Sequence, residues 1–516
     1  MGDYSSLFRD MFTYTDYLLG DKQAEEPDIV EFLNAYSAAS MLYKHIIKKS
    51  KIAIHTDVDM DGIAVCYVVR NWLLQVAPNS QIDCYINSKK VHGVEADAID
   101  IFNVKQYDLV MILDSATNHI EHIKRLNCDC IVIDHHEISV GMHELSGKTQ
   151  KGEYYVVNSM ANNGAVYTGC NTMSAGLTAY EFLRYMQKQL NMQDLLKSLK
   201  LYHWAVISLY TDYMNNDNLR NIYYIQTTRN DIVIEPGLMQ MLNSANCYPG
   251  YLNKSDIGFT LAPLFNRAIR AGWSSIALEC ALTQPKMVGQ LEVYRQVQDE
   301  QTKDFDDNIN QKSKYITKDI TNTATHPNYA GLVAMKLLDK HSVTSAVYHD
   351  IGDGLVGGSF RGSSDKVDYR SLLKNMGYYA EGHKSAFGFK IPKDKIDDIM
   401  EYLVSYEKNG LIQDYITAGY VVNKGVHHID DIIDFQNQQY LWKLGNINSM
   451  MATNINITIQ TSELEYVKVN SKHTFYTYSF NGIELIAFEQ IETPQAYIYV
   501  ELQDSLRLYV KNKWVK

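Results

Sequence analysis

The chain has 516 residues, 46% of them hydrophobic and 21% charged, with a formal net charge of −12. That length exceeds one ordinary domain and that composition supports sizeable cores, so two to four domains are expected and a disordered chain is excluded. The acidic balance excludes a wholesale basic coat for nucleic acid but leaves room for a local basic groove.

Residues 1–50 read as a helical extension without a chemical signal. No apolar run reaches the roughly 18 residues of a membrane span, and MGDYSSLFRDM lacks the signal-peptide pattern, so a cytoplasmic protein without membrane contact is expected. From 51 to 160, short apolar runs alternate with amphipathic stretches. Residues 52–55 (IAIH), 82–86, 109–114 (LVMILD), 130–134 (CIVID) and 154–158 read as strands, and 64–76 as a helix. Near-continuous apolar strands joined by helices predict a parallel sheet covered on both faces. Residues 171–214 read as helical. The polar stretch 284–316 predicts a long helix bridging two domains, and 325–405 a second α/β unit. Beyond about 450, short alternating runs predict an all-β module, a small barrel. The cysteines (Cys66, Cys84, Cys128, Cys130, Cys170, Cys247 and Cys280) are odd in number and irregularly spaced, which suits buried thiols rather than disulfides.

The chemistry concentrates at the ends of apolar runs. In open parallel sheets, ligands bind beyond the carboxyl ends of the strands. IAIH runs into His55, Asp57, Asp59 and Asp61; LVMILD ends at Asp114; CIVID ends at Asp134, followed by His135 and His136; LYTD ends at Asp212. Carboxylates crowded this closely repel one another unless a cation compensates. Carboxylates and imidazoles without thiolates fit Mn²⁺ or Mg²⁺ better than structural zinc, and the set is large enough for two ions sharing a carboxylate.

HTDVDMDG, LDSAT, DHH at 134–136 and TD at 211–212 resemble, in order, the motifs of the DHH phosphoesterase superfamily. The resemblance implies a phosphodiesterase or pyrophosphatase fold with two Mn²⁺ ions (Mg²⁺ as a substitute). His55, Asp59 and Asp114 would hold one ion; Asp61, Asp114, His135 and Asp212 would hold the other. His136 would face the substrate phosphate and Asp134 would orient its neighbours. Asp57 matches the extra aspartate of the RecJ exonuclease branch. APLFNRAIRAG (262–272) looks like that branch's P-x-x-N-x-x-x-R segment, which implicates Asn266 and Arg270 in phosphate contact. GGSFRGSSDKVDY and AEGHKSAFGF resemble the DHH-associated domain, making Arg361 and His383 phosphate ligands beside a closely approached Gly382. The terminal module stands where RecJ carries an oligonucleotide-binding (OB) barrel.

The implied plan is therefore α/β: a helical extension (1–50), a parallel-sheet DHH domain (51–255), a helical linker region (256–325), a DHH-associated domain (326–405) and an OB-like β domain (406–516). Three departures from the family stand out. Ser115-Ala116-Thr117 replace a glycine-containing turn, Ala380-Glu381 replace glycines, and Phe387 replaces a small residue. His427-His428 with Asp430-Asp431 read as a solvated stretch, and Lys384, Lys390, Lys393 and Lys395 as a basic face. Tyr476, Tyr478 and Phe480 share one face of a strand and suit either core packing or base stacking.

The expected function is a manganese-dependent RecJ-like exonuclease on single-stranded DNA, running 5′ to 3′ by resemblance and releasing 5′-mononucleotides. RNA and short oligonucleotides are further candidate substrates. A phosphodiesterase for short oligonucleotides or cyclic dinucleotides is the alternative within the class, and a catalytically silent repair scaffold the alternative outside it.

Overall fold

A computed structural model of the chain describes residues 17, 22–88, 93–161, 170–212, 214, 216, 218–231, 233–247, 252, 254, 256–364, 367–407 and 490, and six strands between 455 and 515. The chain divides between Glu292 and Val293 into two units.

The first unit is built on strands that are apolar on both faces. Helix α1 (Ala35–Lys48) leads into β1 (Ile52–Thr56), α2 (Met60–Val76), β2 (Ile82–Ile86), α3 (Ala96–Lys105), β3 (Leu109–Leu113), β4 (Asp129–Asp134), β5 (Ser146–Lys148) and β6 (Glu153–Asn158). Every residue of β1 and β3 is buried, as expected of a sheet covered on both sides. Ala53, Val110, Ile112, Val132 and Val156 face a core shared with Ile99 and Phe102 of α3. Helices α2, α4 (Ala175–Gln189) and α5 (Tyr202–Thr211) pack on one another. Buried Trp72 of α2 donates from Nε1 to Gln187 of α4 at 2.8 Å, so its one polar atom is satisfied.

Strand order is β2-β1-β3-β4-β6-β5, parallel except for the edge strand β5. The chain moves from β1 outward to β2 and then returns past β1 to β3. The crevice between the carboxyl ends of β1 and β3 is therefore the topological switch point, where such sheets bind ligands. His55 through Asp61 and Asp114 leave from those two ends. After α6 (Leu219–Asn230) and α7 (Pro236–Ser244), a π-helical turn at 256–261 opens α8 (Ala262–Arg270), followed by α9 (Ser274–Leu282).

The long bridging helix expected over 284–316 is absent. A 3-10 segment, Pro285–Val293, precedes a nine-residue helix, α10 (Tyr294–Thr302), and β7 (Asn310–Gln311) and β8 (Tyr315–Asp319) follow. The reason is local. The run Asp304-Phe305-Asp306-Asp307-Asn308 is rich in side chains that compete with the helical backbone for hydrogen bonds, and Asn308 adopts a left-handed φ of 51°. Buried Lys318 then donates to the carbonyls of Asp304 and Asp307, fixing the turn.

The second unit continues with α11 (Ala330–His341), β9 (Thr344–Gly352), β10 (Leu355–Arg361), α12 (Tyr369–Asn375), β11 (Tyr379–Gly382), β12 (Ala386–Pro392) and α13 (Ile396–Ser405). Its sheet runs β11-β12-β10-β9-β8-β7, with only β8 and β9 parallel. It thus takes in residues 310–319, which the sequence places in the linker. Phe360, Phe387, Phe389, Leu373 and Leu403 fill one face, and Val333, Leu337 and Val347 the other.

The final strands, β13 (Ile455–Gln460), β14 (Glu465–Val469), β15 (Tyr476–Phe480), β16 (Ile483–Ala487), β17 (Ala496–Leu502) and β18 (Leu508–Val515), form one sheet ordered β13-β17-β18-β16-β15-β14. Tyr478 is buried and meets Tyr466 edge-on at 5.6 Å, which is a packing role. Residues 427–431 lie outside the described residues. Among those described, no helix is long and apolar enough to cross a membrane.

Candidate metal centre

The loop after β1 is shaped by capping. Asp59 is the N-cap of α2, its Oδ1 accepting the Gly62 N–H at 2.9 Å. A Cβ on Gly62 would stand 2.4 Å from the carbonyl oxygen of Asp57, so only glycine lets the helix begin this close to the loop. Asp114 follows β3 directly in a left-handed conformation, φ 61°, which aspartate tolerates better than most residues. Asp134 ends β4, and its carboxylate accepts N–H bonds from Thr117 at 3.0 Å, His135 at 2.7 Å and His136 at 3.2 Å. It also takes the Nδ1 of His136 at 2.8 Å. Asp212 is the C-cap of α5. One turn earlier on that helix, Ser208 donates to Asp61, which joins α5 to the β1 loop.

These side chains converge. His135 Nε2 lies 3.4 Å from Asp114, 3.4 Å from Asp212 and 4.0 Å from Asp61. Asp61, His135 and Asp212 form one group whose ligand atoms lie within 4.8 Å of one another; Asp57, Asp59 and Asp114 form a second; Asp114, His135 and His136 form a third. Oδ2 of Asp61 and Oδ1 of Asp114 are buried and make no hydrogen bond among the described residues. Buried carboxylate oxygens left this way are costly in isolation and suited to a cation. The donor set, oxygens and imidazole without sulfur, fits a hard divalent ion.

Residues 51–201 match the DHH family, N-terminal domain. The segment is a DHH-family domain. Over 405 residues the chain is 25% identical to YorK, an SPbeta prophage-derived protein of Bacillus subtilis (strain 168) named, provisionally, a single-strand DNA-specific exonuclease; the match covers 70% of this chain and 67% of YorK. It is 22% identical over 422 residues to the single-stranded-DNA-specific exonuclease RecJ of the same organism, covering 77% of this chain and half of that protein. RecJ of Thermus thermophilus, solved with Mn²⁺, superposes with a TM-score of 0.68 at 15% identity over 97% of this chain and 75% of that one. At that identity the superposition speaks for the fold.

The grouping differs from the sequence expectation in three respects: Asp57 stands with Asp59 and Asp114 where His55 was expected, Asp114 lies outside the Asp61–His135–Asp212 group, and His136 joins Asp114 and His135. His55 is buried, its Nε2 is 3.0 Å from Oδ1 of Asn87, and its Nδ1 has no hydrogen-bond partner among the described residues, the same condition as the Asp61 and Asp114 oxygens. Two supporting groups escaped the sequence reading. Asn87 directly follows β2, so the strand-end rule that found Asp114 would also have found it. Ser208 precedes Asp212 by four residues, hence on the same helix face.

The electrostatics of the metal-free cluster are strained. Burial, then Asp212 and Asp59, push Asp61 up. Burial, then Asp61 and Asp59, do the same to Asp114. Asp212 is pushed up to about 7 by burial and then Asp59. His136 is the reverse case. Burial opposes its charge, but Asp134 outweighs burial and raises it to about 10. Asp134, despite burial, is held well below the usual carboxylate range by His136.

A carboxylate raised in the folded state takes up more protons there than when unfolded, so metal-free stability falls as pH climbs from roughly 4 through the raised value. The unfolding midpoint in EDTA should therefore drop between pH 5.5 and 8, while the gap to the Mn²⁺-loaded protein widens. A gap independent of pH would remove these carboxylates as cation ligands.

In the second unit, Arg361 ends β10 opposite Ala386 of β12. The hairpin between β11 and β12 is closed by the His383 N–H bonding to the Ala386 carbonyl at 2.9 Å. Gly382 has φ 130°, and a Cβ there would meet that same carbonyl oxygen at 2.8 Å. Arg361, Gly382 and His383 thus share one end of the sheet. Phe387 is buried and stacks on Phe360 at 4.7 Å, a packing role. Glu381 accepts from the Tyr379 hydroxyl. Of the basic cluster, Lys390 lies over the Tyr379 ring, Lys393 meets Asp319 at 3.4 Å and Lys395 meets Asp398 at 3.7 Å, so much of it is a paired surface. Asn266 and Arg270 sit half-buried on α8, four residues apart on one face, outside the three groups.

Proposed function

We propose that the protein is a RecJ-like exonuclease that hydrolyses single-stranded DNA to 5′-mononucleotides, 5′ to 3′, with two Mn²⁺ ions (or Mg²⁺). The observation that carries this reading is Asp114 standing in two of the three ligand groups, 3.4 Å from His135, which belongs to the Asp61–Asp212 group. Asp57, Asp59 and Asp114 would hold one cation, and Asp61, His135 and Asp212 the other, with Asp114 between them. When bound, such a pair neutralises charge on a phosphoryl group and acidifies water.

The chain's own residues do the rest. Asp134 fixes His136 through Nδ1 and leaves the half-exposed far side of its ring to meet a phosphate oxygen. Arg361 and His383, with Asn266 and Arg270, would hold the backbone phosphates. Arg361→Ala should weaken single-strand binding about tenfold and lower the slope of log affinity against log salt by about one, as a lost phosphate contact does. Binding titrations at several salt concentrations check it.

The direct test is degradation of end-labelled single-stranded DNA and RNA with Mn²⁺ or EDTA. Mononucleotides from DNA with Mn²⁺, and none with EDTA, are expected. Turnover of dinucleotides alone would move the assignment to a short-oligonucleotide phosphodiesterase, and no hydrolysis of either would leave a scaffold.

A further inference from the structure

We propose that Asn87 is a positioning residue for the cation site at Asp57, acting through Gly93. The proposal rests on the two-cation reading above and deepens it.

Asn87 is buried at the carboxyl end of β2, and its amide can be oriented without ambiguity. A main-chain carbonyl can only accept, so the NH₂ group faces the Gly93 oxygen, 2.8 Å away. The amide oxygen then faces His55, whose Nε2 donates to it at 3.0 Å. The Asn87 main-chain oxygen accepts the hydroxyl of Ser274, first residue of α9, at 2.5 Å. Asn87 is held from two sides and in turn holds Gly93.

Gly93 has little freedom of its own. Its φ is +89°, and a Cβ there would meet the His119 ring at 2.1 Å. Pinned at its carbonyl by Asn87 and crowded at its α-carbon by His119, it presents its N–H to Asp57 Oδ1 at 3.1 Å. That bond matters because Asp57 stands among like charges in its group with Asp59 and Asp114. Without a fixed donor, repulsion would favour a rotamer turned away from the group. With it, one Asp57 oxygen is anchored within the group. The Asp61–His135–Asp212 group is served by different supports, Ser208 to Asp61 and the Asp134 carboxylate to the His135 N–H, so the clamp acts on one cation site and not the other.

The test is Mn²⁺ binding to the full chain, followed by calorimetry and by the paramagnetic resonance of free Mn²⁺. The wild-type protein should show two classes of site. Asn87→Ala should weaken one class by about 10- to 100-fold and leave the other within about twofold. A merely structural role would weaken both together, and that result would overturn the proposal. Ser274→Ala, which loosens Asn87 without removing it, should weaken the same class by a smaller factor, and it carries the test if Asn87→Ala does not fold. Two classes unchanged in both variants would overturn the clamp alone. A wild-type protein that binds no Mn²⁺ would overturn the two-cation reading and the clamp with it.

Discussion

Asp114→Asn should abolish Mn²⁺-supported hydrolysis of single-stranded DNA, by a factor of about a thousand or more, and at the same time stabilise the metal-free protein. The two effects have one cause. Asp114 stands in two of the ligand groups, so its charge would serve both proposed cations. Without them, that charge is buried among Asp61, Asp59 and Asp57, which together with burial raise its pKa well above the carboxylate norm. A folded pKa above the unfolded one means that ionised Asp114 opposes folding at neutral pH. Asparagine keeps the shape and is among the residues best suited to the left-handed conformation at this position, φ 61°. The expected readouts are loss of product in the end-labelled assay and a midpoint in EDTA about 2–4 °C higher at pH 8. At lower pH the stabilisation should shrink, because the raised pKa of wild-type Asp114 favours its neutral form as pH falls. Retained activity would remove the bridging role, and a lower midpoint in EDTA would show that the cluster is not strained.

Much of this was legible in the sequence because strand ends and ligands coincide. The runs ending at Asp114 and Asp134 announce both the sheet and the chemistry, since an apolar strand terminated by a carboxylate needs a reason. That Asp57 stands with Asp59 and Asp114 was not legible. His55 and Asp57 are two residues apart on a chain leaving a strand, and their placement depends on Asn87 and Gly93, which meet them only in three dimensions. Helix length across 284–316 is obscured for a different reason: polar composition fits a solvated helix, but aspartate and asparagine in succession favour turns. The departure at 115–117 acquires a physical meaning. Ala116 adopts φ 77°, a conformation that suits the glycine the family often carries, while its buried methyl packs in the core with Ile112 and Val132. Lost backbone ease is offset by burial, so the turn is kept without glycine.

Asp134→Ala should cost about 3–5 kcal/mol of stability and activity as well, a pairing opposite to that of Asp114. Its carboxylate is 1% exposed and accepts from three main-chain N–H groups and one imidazole. Removing it leaves the Thr117, His135 and His136 amides without that acceptor, and His136 without its counter-charge. The damage would spread, because Asn158 of β6 donates to both the Thr117 hydroxyl and the His136 carbonyl, at 2.9 and 3.0 Å. Three strand ends are thus tied through one carboxylate, and His135, a proposed cation ligand, hangs from that knot. The sign with pH follows from the lowered pKa of Asp134. Its contribution is present above the unfolded value near 4 and is lost only as pH falls through the depressed folded value. His136, which the same pair raises to about 10, adds a contribution that is full below the unfolded histidine value near 6.5 and declines as pH rises toward 10, so urea unfolding should show a larger gap between wild type and variant at pH 5.5 than at pH 8. Asp134→Asn, which keeps an acceptor oxygen but turns an NH₂ toward the Thr117 amide, should fall between them. A loss below about 1 kcal/mol for the alanine variant would mean that the network is not held by Asp134. The contrast with Asp114 is the discriminating feature: a carboxylate that only awaits cations should stabilise the metal-free fold when neutralised, whereas one that organises ligands should weaken it.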